Sequence, residues 1–242
     1  VMAFYFVVAG WSLEYIWQSV STLSFNGLST EQLSANFTDF STASTRPYIW
    51  LAVFVFITAF VIYLGVTQGI EKGSKILMPL LFLVVFYLMI HAFFLPNSGA
   101  GYSFYLKPDF SKITPSVVLQ ALGQSFFSLS IGIGIMLTYG SYIKEGNIVT
   151  TSFQISILDT LIAFMAGLVI FPAVFAYGIE PGQGPELAFI ALPAVFSQMT
   201  GGIIFSVLFF FLLAVAALTS TISLYEAVVA TFSENFRIWR IC

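Results

Sequence analysis

The sequence predicts an all-α polytopic membrane protein, and three observations carry that prediction. Hydrophobic residues fill 59% of the 242 positions and charged residues only 8%, with a mean hydropathy of +0.97. A soluble domain of this size needs a far more polar surface. The apolar residues gather into six runs, each able to cross a hydrocarbon core of about 30 Å, or roughly 20 helical residues. The runs lack the two-residue alternation of barrel strands, and a segment in lipid must satisfy its backbone internally, so each reads as a helix.

The first run covers 1–22 and opens inside VMAFYFVVAGW, without the basic flank and cleavage site of a secretory signal. It reads as the start of an internal piece of a longer protein. The second and third runs, 48–68 and 74–95, are joined by the short basic stretch GIEKGSK. The fourth, 115–144, is longer than a span requires, and the fifth and sixth cover 151–178 and 201–232. Between the runs, the polar stretches 23–47, 96–114 and 179–200 read as loops on the outer face. The last of them holds AFIALPAVF, too short to span and interrupted by Pro193, which predicts a short helical hairpin at the membrane entrance.

If the spans alternate, Lys72, Lys75, Lys144, Arg237 and Arg240 share one side, and Arg46, Lys107 and Lys112 the other. The positive-inside rule then places GIEKGSK in the cytoplasm. A net charge of −3 offers no basic patch for nucleic acid. The single cysteine, Cys242, allows no internal disulfide and no cysteine metal site. No catalytic constellation is present either, because His91 stands alone and Glu14 and Glu226 lie on separate spans. For both acids a buried hydrogen bond or a lining role is the expectation.

Within the fourth run, FFSLSIGIGIMLTYGSY places Ser128, Ser130, Gly132 and Gly134 near mid-depth. Each glycine weakens a helix by about 0.8 to 1 kcal/mol relative to alanine. An opened helix is tolerated at that depth where it is buried in protein or lines a cavity, and its freed groups can then hold ions and polar substrate. Close helix packing on small residues is the alternative. Asp159 favours the break. It is the sole charge between Glu145 and Glu180, and a carboxylate at mid-span costs roughly 3 kcal/mol on insertion scales. A bound cation would satisfy it, as would protonation or a hydrogen bond.

The sixth run carries Thr219, Ser220, Thr221 and Ser223 in AVAALTSTISLYEAVV. Hydroxyls at consecutive positions point in different directions, and some can bond back to the preceding turn. An Ala216 carbonyl freed by such a turn, with the Thr219 and Ser220 oxygens, would make a neutral oxygen site for a monovalent cation.

Several stretches in order resemble the neurotransmitter:sodium symporter family, in particular its bacterial amino-acid transporters. They are FYFVVAGW (4–11), GVTQGIEKGSKILMP (65–79), GQSFFSLSIGIGIMLTYGSY (123–142), FIALPAVFSQMTGG (189–202) and ALTSTIS (217–223). The resemblance covers the third through eighth of the family's usual twelve spans. It implies a LeuT-type inverted-repeat bundle, incomplete here and broken near 128–135, in a multi-pass protein of the bacterial inner membrane. It also implies sodium-coupled symport of an amino acid by alternating access. A channel or non-transporting scaffold is the alternative.

The resemblance further assigns roles. Tyr5 matches the tyrosine that binds the substrate carboxylate, with Val1 and Val8 as apolar neighbours. Phe127 matches the lid over the substrate, and the carbonyls of Phe127, Ser128 and Ser130 match acceptors for its ammonium group. Ile133, Ser220 and Leu224 would shape the pocket, whose apolar lining suits a neutral, hydrophobic amino acid. Ser128 and Asp159 match ligands of a first sodium site; Ala216, Thr219 and Ser220 match a second. Chloride-dependent relatives have Asn where this chain has Asp159, and a serine where it has Ala163. The carboxylate therefore implies chloride independence, with Gln124 nearby. Gly69 and Pro79 match a spacing at which some bacterial relatives unwind to let water reach the second sodium; an ordinary proline kink is the alternative.

Overall fold

The computed structural model describes residues 2–21, 25, 27–63, 67–142, 147–179, 181, 184 and 186–236, with 67–73, 142, 186, 230–231 and 233–236 described by backbone alone. Among these residues there is no strand. The helices are α1 (Met2–Ser21), α2 (Thr30–Thr42), α3 (Arg46–Tyr63), α4 (Thr67–Phe93), α5 (Ser98–Leu106), α6 (Pro115–Ser128), α7 (Ile135–Tyr142), α8 (Ile148–Ala176), α9 (Glu186–Gln198) and α10 (Gly202–Phe236), with a 3-10 turn at Phe110–Lys112. Four described segments are long and apolar enough to cross a membrane: Arg46–Tyr63, Ser74–Phe93, Ile148–Ala176 and Gly202–Val229. Helix α1 is 20 residues long but is diluted by Ser12, Glu14, Gln18 and Ser19. The fourth predicted run is divided between α6 and α7, as the broken-helix expectation requires.

Three connections carry more structure than the sequence reading gives them. The stretch 23–47 contains α2, whose Ser29 and Gln32 form a reciprocal capping box and whose Leu33, Phe37 and Phe40 are buried. The stretch 96–114 contains α5 and the 3-10 turn. The expected hairpin in 179–200 is instead one helix, α9, which continues through Pro193.

The chain divides into two units. The first joins 1–105 to 165–221. Within it α1 lies along α3, and Gly10 permits the close approach: a Cβ there would sit 3.0 Å from the Leu51 nitrogen. Hydroxyl pairs add polar rungs where lipid offers no competing water, Ser19 to Ser206 at 2.6 Å and Thr58 to Thr221 at 3.5 Å. Helices α2 and α9 build an aromatic cluster around Phe189, which meets Trp11 at 5.7 Å, Tyr15 at 5.1 Å and Phe210 at 5.7 Å between ring centres. Both helices lie between the apolar runs, so removal of apolar surface from water contributes there, about 1.5 to 3 kcal/mol for each fully buried large side chain.

Glu14 is fully buried on α1, and its carboxylate pairs with Arg46 at the start of α3 while also accepting from Gln18 Nε2 at 2.6 Å. The expected buried hydrogen bond is thus present, joined by an ion pair. Elsewhere in the unit α5 presses on α8, where a Cβ on Gly101 would fall 2.5 Å from Pro172 Cα.

The second unit joins 106–164 to 222–242. Its entry is organised by Asp109, whose carboxylate accepts from the Ser111 hydroxyl at 2.5 Å and the Ser111 backbone N–H at 3.1 Å. Thr114 then caps α6, accepting from the Val117 N–H, and Pro115 occupies the first turn, where a missing N–H costs nothing.

Candidate ion and substrate site

The break after α6 is a well-formed helix end. The Ile131 N–H donates to the Phe126 carbonyl at 2.8 Å, and the Ser130 N–H to the Phe127 carbonyl at 3.2 Å, the paired bonds of a Schellman cap. Such a cap puts its first residue beyond the helix in the left-handed region. Here that residue is Ser130, at φ 55, followed by Gly132 at φ 83 and Gly134 at φ 87. The two glycines are suited to these angles, whereas Ser130 adopts its own at a cost of about 1 kcal/mol. The cap engages the Phe127 carbonyl. Among the described residues, the Ser128 and Ser130 carbonyls receive no backbone hydrogen bond in the break.

At this helix end the Ser128 hydroxyl donates to Asp159 Oδ2 at 2.5 Å. Both residues belong to the second unit. Among the described residues Asp159 has no salt bridge, so its charge at mid-helix is met by a hydroxyl instead of a cationic side chain. The pair presents two hard oxygens together, the ligand type a small monovalent cation prefers. Ile133 is half-buried between the two glycines, Phe127 is half-buried on the last turn of α6, and Leu224 is buried on α10.

A second oxygen cluster lies in the first unit. Thr219 Oγ1 donates to the Ala216 carbonyl at 2.8 Å and Ser220 Oγ donates to the same carbonyl at 3.1 Å. Three oxygens therefore converge on one turn of α10. Thr221 points elsewhere, to the Leu218 carbonyl at 2.8 Å and to Thr58, which shows how consecutive hydroxyls divide their tasks. The expectation that the Ala216 carbonyl is freed by an opened turn is corrected: α10 runs unbroken from Gly202 to Phe236, and the hydroxyls come to the carbonyl.

Tyr5 and Val8 are half-buried on α1 in the first unit, and Val1 lies outside the described residues. Lys144, Arg237, Arg240 and Cys242 also fall outside them. Helix α4 is continuous through Gly69 and Pro79, so this structure has the wound form of that segment. A cleft of about 460 Å³ opens in the first unit beside Val7, Trp11, Tyr48 and Leu51. Val7 and Trp11 stand on the face of α1 turned away from Tyr5 by the 3.6-residue period, and none of the predicted site residues lines this cleft. Sequence reasoning did not single out one cross-helix contact of the second unit, the hydroxyl of Tyr139 on α7, which donates to Ser223 Oγ on α10 at 2.8 Å.

With this geometry in view, the comparisons with known proteins decide the lineage. Residues 33–241 match the Sodium:neurotransmitter symporter family. The chain belongs to that family. It is 41% identical over 99% of its length to a sodium-dependent transporter of Haemophilus influenzae. It is 40% identical over 97% of its length to the sodium-dependent transporter YhdH of Bacillus subtilis. Among solved structures, the crystal structure of MhsT in complex with L-phenylalanine superposes with a TM-score of 0.91 at 39% identity, covering 98% of this chain and 54% of MhsT. The chain spans about half the length of these bacterial relatives, 53% and 52%. The incomplete LeuT-type bundle and the multi-pass membrane character follow from this membership together with the long apolar helices, and the bacterial relatives support an inner-membrane setting.

Proposed function

We propose that the whole protein is a sodium-coupled symporter that carries a neutral, hydrophobic amino acid into the cell by alternating access, without chloride. The observation that carries this reading is the Ser128 hydroxyl on Asp159 at the capped end of a broken helix. In a mid-span position a carboxylate met by one hydroxyl, with no salt bridge among the described residues, is costly unless a cation uses it. Sodium, as co-transported cargo, would take Asp159 and Ser128 as ligands of one site and the Ala216, Thr219 and Ser220 oxygens as ligands of the other. The carboxylate of Asp159 would supply the negative charge that chloride brings elsewhere in the family.

In this reading the substrate carboxylate meets the Tyr5 hydroxyl, while the ammonium group meets the carbonyls at the break, those of Ser128 and Ser130 beside the one Phe127 gives to its cap. Phe127 closes over the bound molecule. Val1, Val8, Ile133, Ser220 and Leu224 surround the side chain, and this largely apolar lining agrees with the L-phenylalanine held by MhsT. Sodium and substrate would share the substrate carboxylate, so each tightens the other's binding by the same factor. Rocking of the assembled bundle then exposes both to the cytoplasm.

The test is uptake of radiolabelled amino acids by proteoliposomes holding the full-length protein. Saturable uptake that needs sodium, persists when chloride is replaced by gluconate, and is competed by Phe, Leu, Met, Tyr or Trp supports the reading. Sodium-independent or non-saturable flux would favour a channel, and loss of uptake on chloride replacement would remove the role given to Asp159.

A further inference from the structure

The cleft of about 460 Å³ takes no part in the site described above, and its lining lies wholly within the first unit. Its walls are Val7 and Trp11 of α1, Tyr48 and Leu51 of α3, and the end of α2 with the turn that follows it, Ser41 and Thr42 among them. Its depth in a bilayer follows from α3. The span Arg46–Tyr63 begins beside the cleft, so Arg46 and the exposed Tyr48 stand where headgroups meet hydrocarbon. Leu51 lies about 7.5 Å further along the helix axis, at the level of the acyl chains.

The cleft thus joins an apolar wall to a polar rim, and the rim separates acceptors from donors. On the α2 side the Ser41 and Thr42 hydroxyls both donate to the Thr38 carbonyl, at 3.2 and 2.7 Å, so toward any further partner each oxygen can only accept. Among the described residues the Ser41 and Thr42 carbonyls receive no backbone hydrogen bond, and the last turn of α2 holds no basic residue to take them. On the α3 side stands Arg46, one residue before the lining Pro47 and 6.0 Å from the ring of Phe40, the neighbour of Ser41 on α2. Its guanidinium pairs with Glu14, but the side chain is 52% exposed, and with five N–H donors it can serve a second anion. Acceptors and a half-exposed cation therefore lie side by side above an apolar wall. We propose that the cleft binds a glycerophospholipid with a primary ammonium headgroup, a phosphatidylethanolamine: the ammonium on the Ser41 and Thr42 oxygens, the phosphate on Arg46, and an acyl chain along Val7 and Leu51. A choline headgroup carries the same charges but has no N–H to donate, so the acceptor rim discriminates against it. Phosphatidic acid reaches Arg46 but leaves the acceptors unanswered.

The experiment delipidates the full-length protein in detergent and titrates it with phosphatidylethanolamine, its mono- and dimethyl forms and phosphatidylcholine, all with the same acyl chains, reading bound lipid by native mass spectrometry. Affinity should fall with each methyl group, and phosphatidylcholine should bind about tenfold more weakly than phosphatidylethanolamine, the loss expected for charge-assisted hydrogen bonds at a partly exposed rim. Thr42→Lys, at an exposed position, sets a competing ammonium among the acceptors and should bring the two lipids to within about twofold of each other. A cation suits the end of a helix, so this variant should melt no lower than wild type. Arg46→Gln combined with Glu14→Gln removes the ion pair without stranding a charge; it should weaken both lipids by about two- to fivefold and leave the preference between them. Equal binding of the two lipids by wild type, the result if another segment of the full-length chain fills the cleft, would overturn the inference. So would a preference that survives Thr42→Lys, or a double variant that holds both lipids as tightly as wild type.

Discussion

Replacing Arg46 with alanine should destabilise the protein more than altering the acid it serves. Glu14 has no exposed side-chain surface, whereas the Arg46 side chain is 52% exposed. Removing Glu14 lets the guanidinium take up water where it stands. Removing Arg46 leaves a carboxylate with Gln18 as its remaining described partner and Oε2 unbonded. Stranding a buried charge typically costs 3–5 kcal/mol, and partial solvation of this pair lowers the expectation to about 3 kcal/mol for Arg46→Ala. Glu14→Gln keeps the shape and the hydrogen-bonding capacity, so its expected cost is about 1 kcal/mol. The double variant, lacking both charges, should recover most of the Arg46→Ala loss. Because polytopic proteins often unfold irreversibly, the measurement is the inactivation rate of detergent-purified full-length protein at fixed temperature. Arg46→Ala should accelerate it by up to roughly 100-fold and the double variant by far less. An Arg46→Ala variant as durable as wild type, or a double variant that decays as fast as Arg46→Ala, would refute the reasoning.

Two glycines in α5 should respond to alanine with opposite signs. At Gly101 the new methyl meets the backbone of Phe171 and Pro172 at 2.5–2.7 Å, which cannot yield as a side-chain tip would, so a loss of about 3 kcal/mol is expected. At Gly99 nothing lies within 4 Å, and the better helix propensity should add up to about 1 kcal/mol; melting temperatures of the two variants check both. The Ser111 hydroxyl and N–H, with Lys112 nearby, hold the Asp109 carboxyl below the usual aspartate range. The stabilisation they give the turn is complete above the ordinary aspartate pKa and is lost as pH falls through the lowered one; carboxyl NMR titration of labelled protein should show that midpoint, and Ser111→Ala should move it upward. Pro79→Ala should slow turnover while sparing substrate binding if α4 must unwind, and an unchanged turnover number would assign Pro79 to kinking alone.

Much of the fold was legible because lipid imposes a coarse rule: a helix that spans must be apolar over its length. Thus α3, α8 and α10 overlap the runs 48–68, 151–178 and 201–232. Helix α2 escaped because its pattern is sparse, Leu33, Phe37 and Phe40 among Ser, Thr, Asn and Asp, although Ser29 and Gln32 already spelled a capping box. At Pro193 the ring stops one backbone bond, yet close packing of the surrounding side chains, from Ala191 to Phe196, holds the helix together.

The site divides in the same way. Asp159 announced itself by being charged where charge is expensive, and Gly132 and Gly134 by weakening a helix at mid-span; their positive φ angles emerged with the structure. Ser130 gave no such sign, since serine carries no compositional mark of a left-handed cap. Pairs such as Tyr139 with Ser223, 84 positions apart, and Glu14 with Arg46 were equally silent. One hydroxyl or one charge on each of two helices makes no period, and only the packing decides which of many candidates meet.

The Schellman cap after α6 also bears on what the break costs the chain. Its bonds satisfy the Phe126 and Phe127 carbonyls from within the chain itself, so the break costs no orphaned carbonyl at those two positions.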